Sequence, residues 1–222
     1  EYQMKMNMLA TGVYAKTHGL SLSSGIPEER MRAVNGCKRN IDYAASMGCG
    51  IIIGFLKGGP GSDREVSERL FLESMLELKP YIEEKKVQVL IEATNHKEAS
   101  IIRTLKEGAH VINFLDCPFI QLLADTYHMN IEEPSLVDSL SEYMNYYPHL
   151  HISDDNRAYP GLGSLDFTAI YRKLMECGYK GTVAVEGNIQ HGLLEDTQIC
   201  AAYLHKMCSG LHTPSRVPSH AV

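Results

Sequence analysis

The sequence predicts an α/β protein with parallel strands. Short apolar runs rich in Ile, Val and Leu alternate with amphipathic segments along most of the 222 residues. The runs are compact and mostly apolar, which is typical of strands that are covered on both faces. Segments of helix length separate them, so successive strands should be joined by right-handed crossovers. This pattern fits either an open doubly wound sheet or a closed (β/α)₈ barrel.

Six apolar runs are predicted to be strands. They are Leu20–Ser24, Gly50–Phe55, Val87–Glu92, Phe119–Asp125, His149–Ser153 and Thr182–Glu186. The segment before Leu20 is interpreted as the end of a helix that leads into the first strand.

Helical periodicity fills the intervals between the runs. Pro27 is typical of a first helical position, and Ser135 and Asp166 are expected to cap two later helices. We assign residues 1–208 to a single domain and residues 209–222 to a loose C-terminal tail. Further helices are predicted at Val66–Leu78, Ile101–Leu115 and Leu194–Met207.

Composition limits the class of protein. The chain is 44% hydrophobic and 22% charged, as globular domains usually are. A formal net charge of −6 without a basic cluster argues against nucleic acid as the main partner. No apolar stretch is long enough to span a membrane, and the first residues do not resemble a secretory signal. The six scattered cysteines contain no CxxC pair, so we expect free thiols in a cytoplasmic protein.

Four residues that can bind a metal lie at the ends of consecutive predicted strands. Parallel strands align their carboxyl ends, so these side chains are expected to converge. Three carboxylates and one imidazole favour Mn²⁺, Mg²⁺ or Co²⁺ and leave Zn²⁺ open. A helix cap, a surface ion pair or a core histidine is the alternative for each residue taken alone. The four residues are Glu92, Asp125, His151 and Glu186.

Other polar residues follow these strand ends at short distance. Asn95 and Glu98 come after the first of the four strands, His128 after the second and Arg157 after the third. Loops at these positions would place the side chains over the metal. A capping Asn95, a helix-start Glu98 and a solvated Arg157 are the simpler interpretations.

Four longer segments of the sequence indicate a particular protein family more specifically than the single residues do. They resemble the xylose-isomerase-like sugar isomerase/epimerase superfamily, and within it the ketose 3-epimerases of the D-tagatose and D-psicose (allulose) type. The resemblance extends from about Gly19 to Gly187. It implies a (β/α)₈ TIM barrel, in which six strands would leave about two amino-terminal βα units before Glu1. The segments are LIEATNHKE, ADTYHMNIEEP, HLHISDDNRAYPGLGSLDF and GYKGTVAVEG.

The resemblance also implies the roles of the site residues. One divalent metal, most often Mn²⁺ or Co²⁺, would be bound by Glu92, Asp125, His151 and Glu186, with Mg²⁺ as a further possibility. Glu92 and Glu186 would double as the acid–base pair. The O1–O2 end of a sugar would be held by Glu98, His128 and Arg157. A small-molecule sugar substrate and a dimeric or tetrameric protein without a membrane partner are expected.

The main hypothesis is therefore a ketose 3-epimerase for a free ketose or keto-sugar acid. The C3 hydrogen of a ketose is next to the C2 carbonyl, so its removal gives a cis-enediolate. One carboxylate could remove the proton and a second could return it to the opposite face. Three alternatives stay open. They are an aldose–ketose isomerase of the same superfamily, an endonuclease-IV-like phosphodiesterase, which the negative charge disfavours, and a non-catalytic sugar- or metal-binding barrel.

Overall fold

The computed structural model describes residues 4–211. Its strands are all parallel and form one sheet, in which they follow each other in chain order. Within the described residues the strands are β1 (Met8–Ala10), β2 (Gly50–Ile53), β3 (Val89–Glu92), β4 (Ile120–Asp125), β5 (His149–Ile152) and β6 (Thr182–Val185).

Helices connect the strands and cover one face of the sheet. The last helix ends at Leu211, and residues 212–222 of the predicted tail lie outside the described residues. The α-helices of the described part are α1 (Gly12–His18), α2 (Pro27–Met47), α3 (Arg64–Lys85), α4 (Leu105–Leu115), α5 (Thr126–Glu132), α6 (Leu136–Glu142), α7 (Phe167–Glu176) and α8 (Leu193–Leu211).

The sheet is curled. In a flat sheet of six strands the two outer strands would lie about 24 Å apart, at about 4.8 Å per strand. Instead, Asn7 Nδ2 just before β1 donates to Thr182 Oγ1 at the start of β6 over 3.3 Å. Ile52, Leu90 and Leu123 pack together on the inner face, apart from the main core between sheet and helices. A sequential parallel sheet that curls inside its helices is the arrangement of a (β/α)₈ barrel.

Five of the predicted strands are confirmed as β2 to β6, and the first prediction is wrong. Leu20–Ser24 forms a turn, in which the N–H of buried Leu22 donates to Leu56 O. The first strand is Met8–Ala10, within the segment that was interpreted as a helix end. This three-residue strand has no β-branched side chain and exists because it pairs with β2.

The predicted helix starts are confirmed where a capping residue defines them. Pro27 is the first residue of α2, while Ser135 and Asp166 cap α6 and α7 through their side chains. The prediction that Ile101 begins a helix is wrong, because Thr104 caps α4 and leaves Ile101 buried in the preceding loop.

Two predictions from composition can be compared with the structure. No disulfide bond joins the cysteines in the part of the chain that is described. None of the helices between residues 4 and 211 combines the length and the apolar character needed to cross a bilayer.

Candidate metal centre and active site

The carboxyl ends of β3 to β6 bring the four predicted ligands together. Asp125 lies directly opposite His151 on the neighbouring strand, and Glu92 lies opposite Leu123, two residues before Asp125. Side chains two residues apart on a strand share a face, so these three point to the inside of the curled sheet. One ligand atom from each of them and from Glu186 lies within 4.8 Å of the others.

The donor set fits a divalent cation. Glu92 Oε1 is buried and has no hydrogen-bond partner among the described residues. It lies 3.8 Å from His151 Nδ1. Burial, together with the negative charges of Asp125 and Glu186, raises the pKa of Glu92 to about 8. A cation bound by these residues would partner the orphaned oxygen and relieve the repulsion between the carboxylates.

Asp125 caps a helix and also faces the cluster. Its side chain is completely buried, and Oδ1 accepts hydrogen bonds from the backbone N–H groups of Tyr127 and His128 at the start of α5. Oδ2 lies 3.9 Å from His151 Nδ1 and 2.7 Å from Arg157 Nη1. Burial raises the pKa of Asp125, although Arg157 acts in the opposite direction. Asp125 therefore caps a helix, as the alternative interpretation of its sequence position held. The cap uses Oδ1 and leaves Oδ2 facing the cluster.

Glu186 is held in its ionised form by contacts with His151 and Arg157. Its Oε2 lies 2.7 Å from His151 Nδ1 and 2.9 Å from Arg157 Nη2. Burial alone would raise the pKa of Glu186, but these partners lower it to about 2. Burial lowers the pKa of His151, but the contact with Glu186 raises it by more, so the pKa of His151 is raised overall. The two carboxyls expected to act as an acid–base pair therefore differ in proton affinity, since Glu92 favours the protonated form.

His128 is a buried neutral imidazole. Its Nδ1 accepts hydrogen bonds from the backbone N–H and from Nδ2 of Asn95, at 3.3 and 2.8 Å. The ring hydrogen must then be on Nε2, which lies 3.9 Å from Glu92 Oε1. Burial, followed by the charges of Arg157 and Lys57, lowers the pKa of His128 to about 3. Asn95, which the sequence offered as a helix cap, is the residue that sets this tautomer.

Arg157 and Glu98 differ in their relation to the cluster. The Arg157 guanidinium donates to Asp125 and Glu186 and lies 5.0 Å from the centroid of the Tyr127 ring. The Glu98 side chain is exposed and makes no hydrogen bond or ion pair with the four ligands in the described part of the chain. The structure thus brings His128 and Arg157 to the cluster, whereas Glu98 makes no such contact with the four ligands.

Lys57 lies near the site and was not predicted from the sequence. It ends the 3₁₀ turn Phe55–Lys57 after β2, and its side chain is completely buried. Its Nζ donates to Thr94 Oγ1 at 2.5 Å and lies 3.5 Å from Gly54 O. Burial lowers the pKa of Lys57 to about 8, although Glu92 acts in the opposite direction. The available signal was a lysine directly after an apolar strand, where a solvated side chain is the usual outcome.

Comparison with known proteins assigns this chain to a family. A family model described as "Xylose isomerase-like TIM barrel" matches residues 3–202. The chain belongs to this family. Membership agrees with the resemblance of the strand-end motifs and with the curled parallel sheet.

Several curated relatives of the family are sugar epimerases. The D-psicose 3-epimerase of Enterocloster bolteae is 27% identical over 198 residues, which are 86% of this chain and 66% of the relative. The 3-dehydro-D-guloside 4-epimerase of Escherichia coli is 37% identical over 102 residues, 46% of this chain and 39% of that protein. The L-ribulose 3-epimerase of a Methylomonas species is 30% identical over 138 residues, which are 62% of this chain and 48% of that protein. The chain spans less than two thirds of the length of each of these relatives.

Solved structures show the same fold. The 3-keto-D-glucoside 4-epimerase of E. coli superposes with a TM-score of 0.80 at 23% identity, covering 93% of this chain and 80% of that one. A D-psicose 3-epimerase of Clostridium cellulolyticum with D-tagatose superposes with a TM-score of 0.76 at 24% identity, covering 87% of this chain and 75% of that one. These similarities confirm the TIM barrel as the fold class.

Proposed function

We propose that this protein is a divalent-metal-dependent epimerase that inverts C3 of a free ketose or keto-sugar acid. The observation that carries the proposal is the convergence of three carboxylates and a histidine around an orphaned buried oxygen of Glu92. The names of the relatives as ketose 3-epimerases support the substrate and reaction class. The same proposal places the protein in the cytoplasm as a dimer or tetramer.

The metal would be held by Glu92, Asp125, His151 and Glu186. This donor set is rich in oxygen, so Mn²⁺ is proposed first, with Co²⁺ and Mg²⁺ as alternatives. When bound, the cation would act as a Lewis acid that stabilises negative charge on the oxygens of the sugar as C3 loses its proton.

Glu92 and Glu186 would move the C3 proton. Inversion needs one carboxylate to remove the proton from one face of C3 and a carboxyl group to deliver a proton to the other. Glu186 is ionised in the structure, whereas Glu92 favours its protonated form. The two carboxyls therefore differ in proton affinity in the metal-free protein, and Glu92 would give up its proton on binding the metal.

His128 and Arg157 would orient the sugar. The only hydrogen-bond donor on the neutral His128 ring is Nε2–H, and Arg157 adds a charged donor beside Asp125 and Glu186. Hydrogen bonds from both to the O1–O2 end would decide which carbon lies next to the carboxyl groups. Glu98 is proposed as a third contact at that end, although its side chain is exposed in the structure.

Proton exchange with solvent tests the proposal. Purified protein with MnCl₂ is incubated in D₂O with fructose, allulose, tagatose, ribulose and a keto-sugar acid, and the products are analysed by NMR. We expect Mn²⁺-dependent deuterium at C3 of one of them, with formation of the C3 epimer. Deuterium at C1 or C2 would select an aldose–ketose isomerase. Metal binding without exchange at any carbon of the whole panel would contradict an epimerase and select a non-catalytic barrel.

A second candidate is a 4-epimerase for a 3-keto sugar. It is favoured by the 37% identity to the E. coli 3-dehydro-D-guloside 4-epimerase over 102 residues. The chemistry would be the same, because the exchanged hydrogen again lies on the carbon next to a ketone. Adding a 3-keto-glucoside to the panel separates the two candidates, since this activity would place deuterium at C4.

Metal binding is expected to strengthen as the pH rises from about 6 to about 8. Glu92, with its pKa of about 8, and His151, with its raised pKa, must release protons when they become ligands. Each released proton makes the apparent Kd about tenfold smaller per pH unit. Calorimetric titration of EDTA-treated protein with MnCl₂, in two buffers of different ionisation enthalpy, measures both affinity and proton release. Equal affinity at both ends of this pH range would contradict the expectation.

A further inference from the structure

The loop 155–165, which follows β5 and contains Arg157, is organised by one carboxylate. Asp154 is buried, with 1% of its surface exposed. Each of its two carboxylate oxygens accepts two hydrogen bonds from backbone N–H groups. The four donors, at distances from 2.8 to 3.1 Å, are the amides of Asp155, Gly161, Gly163 and Leu165. One buried side chain thus ties together the beginning and the end of the loop.

The backbone of Asp154 closes the turn that holds Arg157. Arg157 N donates to Asp154 O over 2.9 Å, and Asp154 N donates to Ala158 O over 2.8 Å. Arg157 is placed at a φ of +63°, in the left-handed region that residues with a Cβ disfavour. Such a conformation persists where the surrounding contacts enforce it. From this position the guanidinium reaches Asp125 and Glu186.

Gly163 shows how closely the loop is fitted to the carboxylate. A Cβ on Gly163 would lie 2.5 Å from Asp154 Cγ and 2.3 Å from Asp155 Oδ1. Only glycine therefore allows its N–H to approach Asp154 without displacing the loop. The P-G-x-G segment of the sequence, Pro160 to Gly163, supplies two of the four donors, since the amides of both of its glycines donate to Asp154.

We propose that Asp154 is a positioning residue for Arg157. Its carboxylate organises the loop that holds the guanidinium against Asp125 and Glu186, and no hydrogen bond or ion pair in the described residues links Asp154 itself to the four predicted ligands. An effect of Asp154 on catalysis rests on the proposed function. An effect of Asp154 on the order of the loop 155–165 does not, so the two effects can be tested separately.

Hydrogen–deuterium exchange of the full chain tests the effect on the loop. Asp154→Asn keeps the shape of the side chain but replaces one acceptor oxygen by a donor that faces two backbone N–H groups. Losing two such hydrogen bonds should speed amide exchange in residues 155–165 by about tenfold or more. Asp155→Asn is the control in the same loop, because the Asp155 carboxylate accepts hydrogen bonds from the amide and the hydroxyl of Ser164 and from neither Gly161 nor Gly163. It should leave the amides of Gly161 and Gly163 unchanged.

Kinetics test whether Asp154 acts through Arg157. Asp154→Asn should raise KM by about tenfold or more while kcat changes less, because the substrate contacts are displaced and the acid–base pair is retained. In the background of Arg157→Ala the same substitution should have almost no further effect, since the group that it positions is gone. A purely structural role would lower kcat/KM by the same factor in both backgrounds.

Each outcome supports or overturns the proposal. Wild-type exchange in residues 155–165 of Asp154→Asn overturns it, and so do additive effects with Arg157→Ala. If Asp154→Asn does not fold, Gly163→Ala pushes the loop away from an intact carboxylate and should accelerate exchange in the same segment. If the wild-type protein shows no turnover, the proposed function fails, and the exchange experiment still decides the role of Asp154 in the loop.

Discussion

Replacing Glu186 by glutamine is expected to slow C3 proton exchange by about 10²- to 10⁴-fold, the contribution that general acid–base groups usually make. Glutamine keeps an oxygen that can accept from His151 and Arg157, the two partners of Glu186 Oε2. It cannot take up or deliver the substrate proton. The initial rate of deuterium incorporation, followed by NMR at saturating Mn²⁺, measures the loss.

The control for Glu186→Gln must separate proton transfer from metal binding. Bound Mn²⁺, measured by electron paramagnetic resonance in the same samples, shows whether the variant is loaded. Glu195→Gln makes the same chemical change at an exposed position in the first turn of α8 and should retain the wild-type rate. Wild-type exchange by a metal-loaded Glu186→Gln would remove Glu186 from the acid–base pair.

Replacing Arg157 by methionine is expected to lower the free energy of unfolding of the metal-free protein by about 3 kcal/mol. Arg157 Nη1 lies 2.7 Å from Oδ2 of the completely buried Asp125, and its loss leaves that carboxylate without its main cation. Methionine preserves much of the unbranched stem. The Arg157 side chain is 19% exposed, so solvent screens part of the interaction, and the low end of the range for breaking a buried pair applies.

Urea unfolding in the presence of EDTA measures this loss. Arg69→Met is the matched control, because its ion pair with Glu73 is exposed and should contribute less than about 1 kcal/mol. Adding Mn²⁺ should raise the free energy of unfolding of Arg157→Met by more than that of the wild type. The cation would neutralise the carboxylates that Arg157 pairs with in the wild type. Equal losses in the two arginine variants would show that the pair with Asp125 does not stabilise the fold.

The strands that carry the four predicted ligands could be predicted from the sequence. Glu92 and Asp125 end apolar runs, His151 lies within one and Glu186 follows one, and the structure has β3 to β6 at these places. Each of these runs is recognisable without knowledge of its neighbours, because it is short and rich in apolar residues. The expected burial on both faces holds for β3, β4 and β5 but not for β6, where Thr182, Val183 and Val185 are exposed. Parallel pairing then aligns the carboxyl ends, which is why spacing along the chain indicated convergence in space.

The sequence by itself determined the strands β2 to β6, the capped helix starts and the donor types at the strand ends, since these depend on patterns within a few residues. Only the tertiary structure decided the first strand, which needs β2 to pair with, and the exposure of Glu98. It also decided the burial of Lys57 against Thr94 and the neutral tautomer of His128, which Asn95 sets. These partners are more than thirty residues apart along the chain. Desolvation and hydrogen bonding between such distant groups arise only when the sheet has formed, so no local pattern records them.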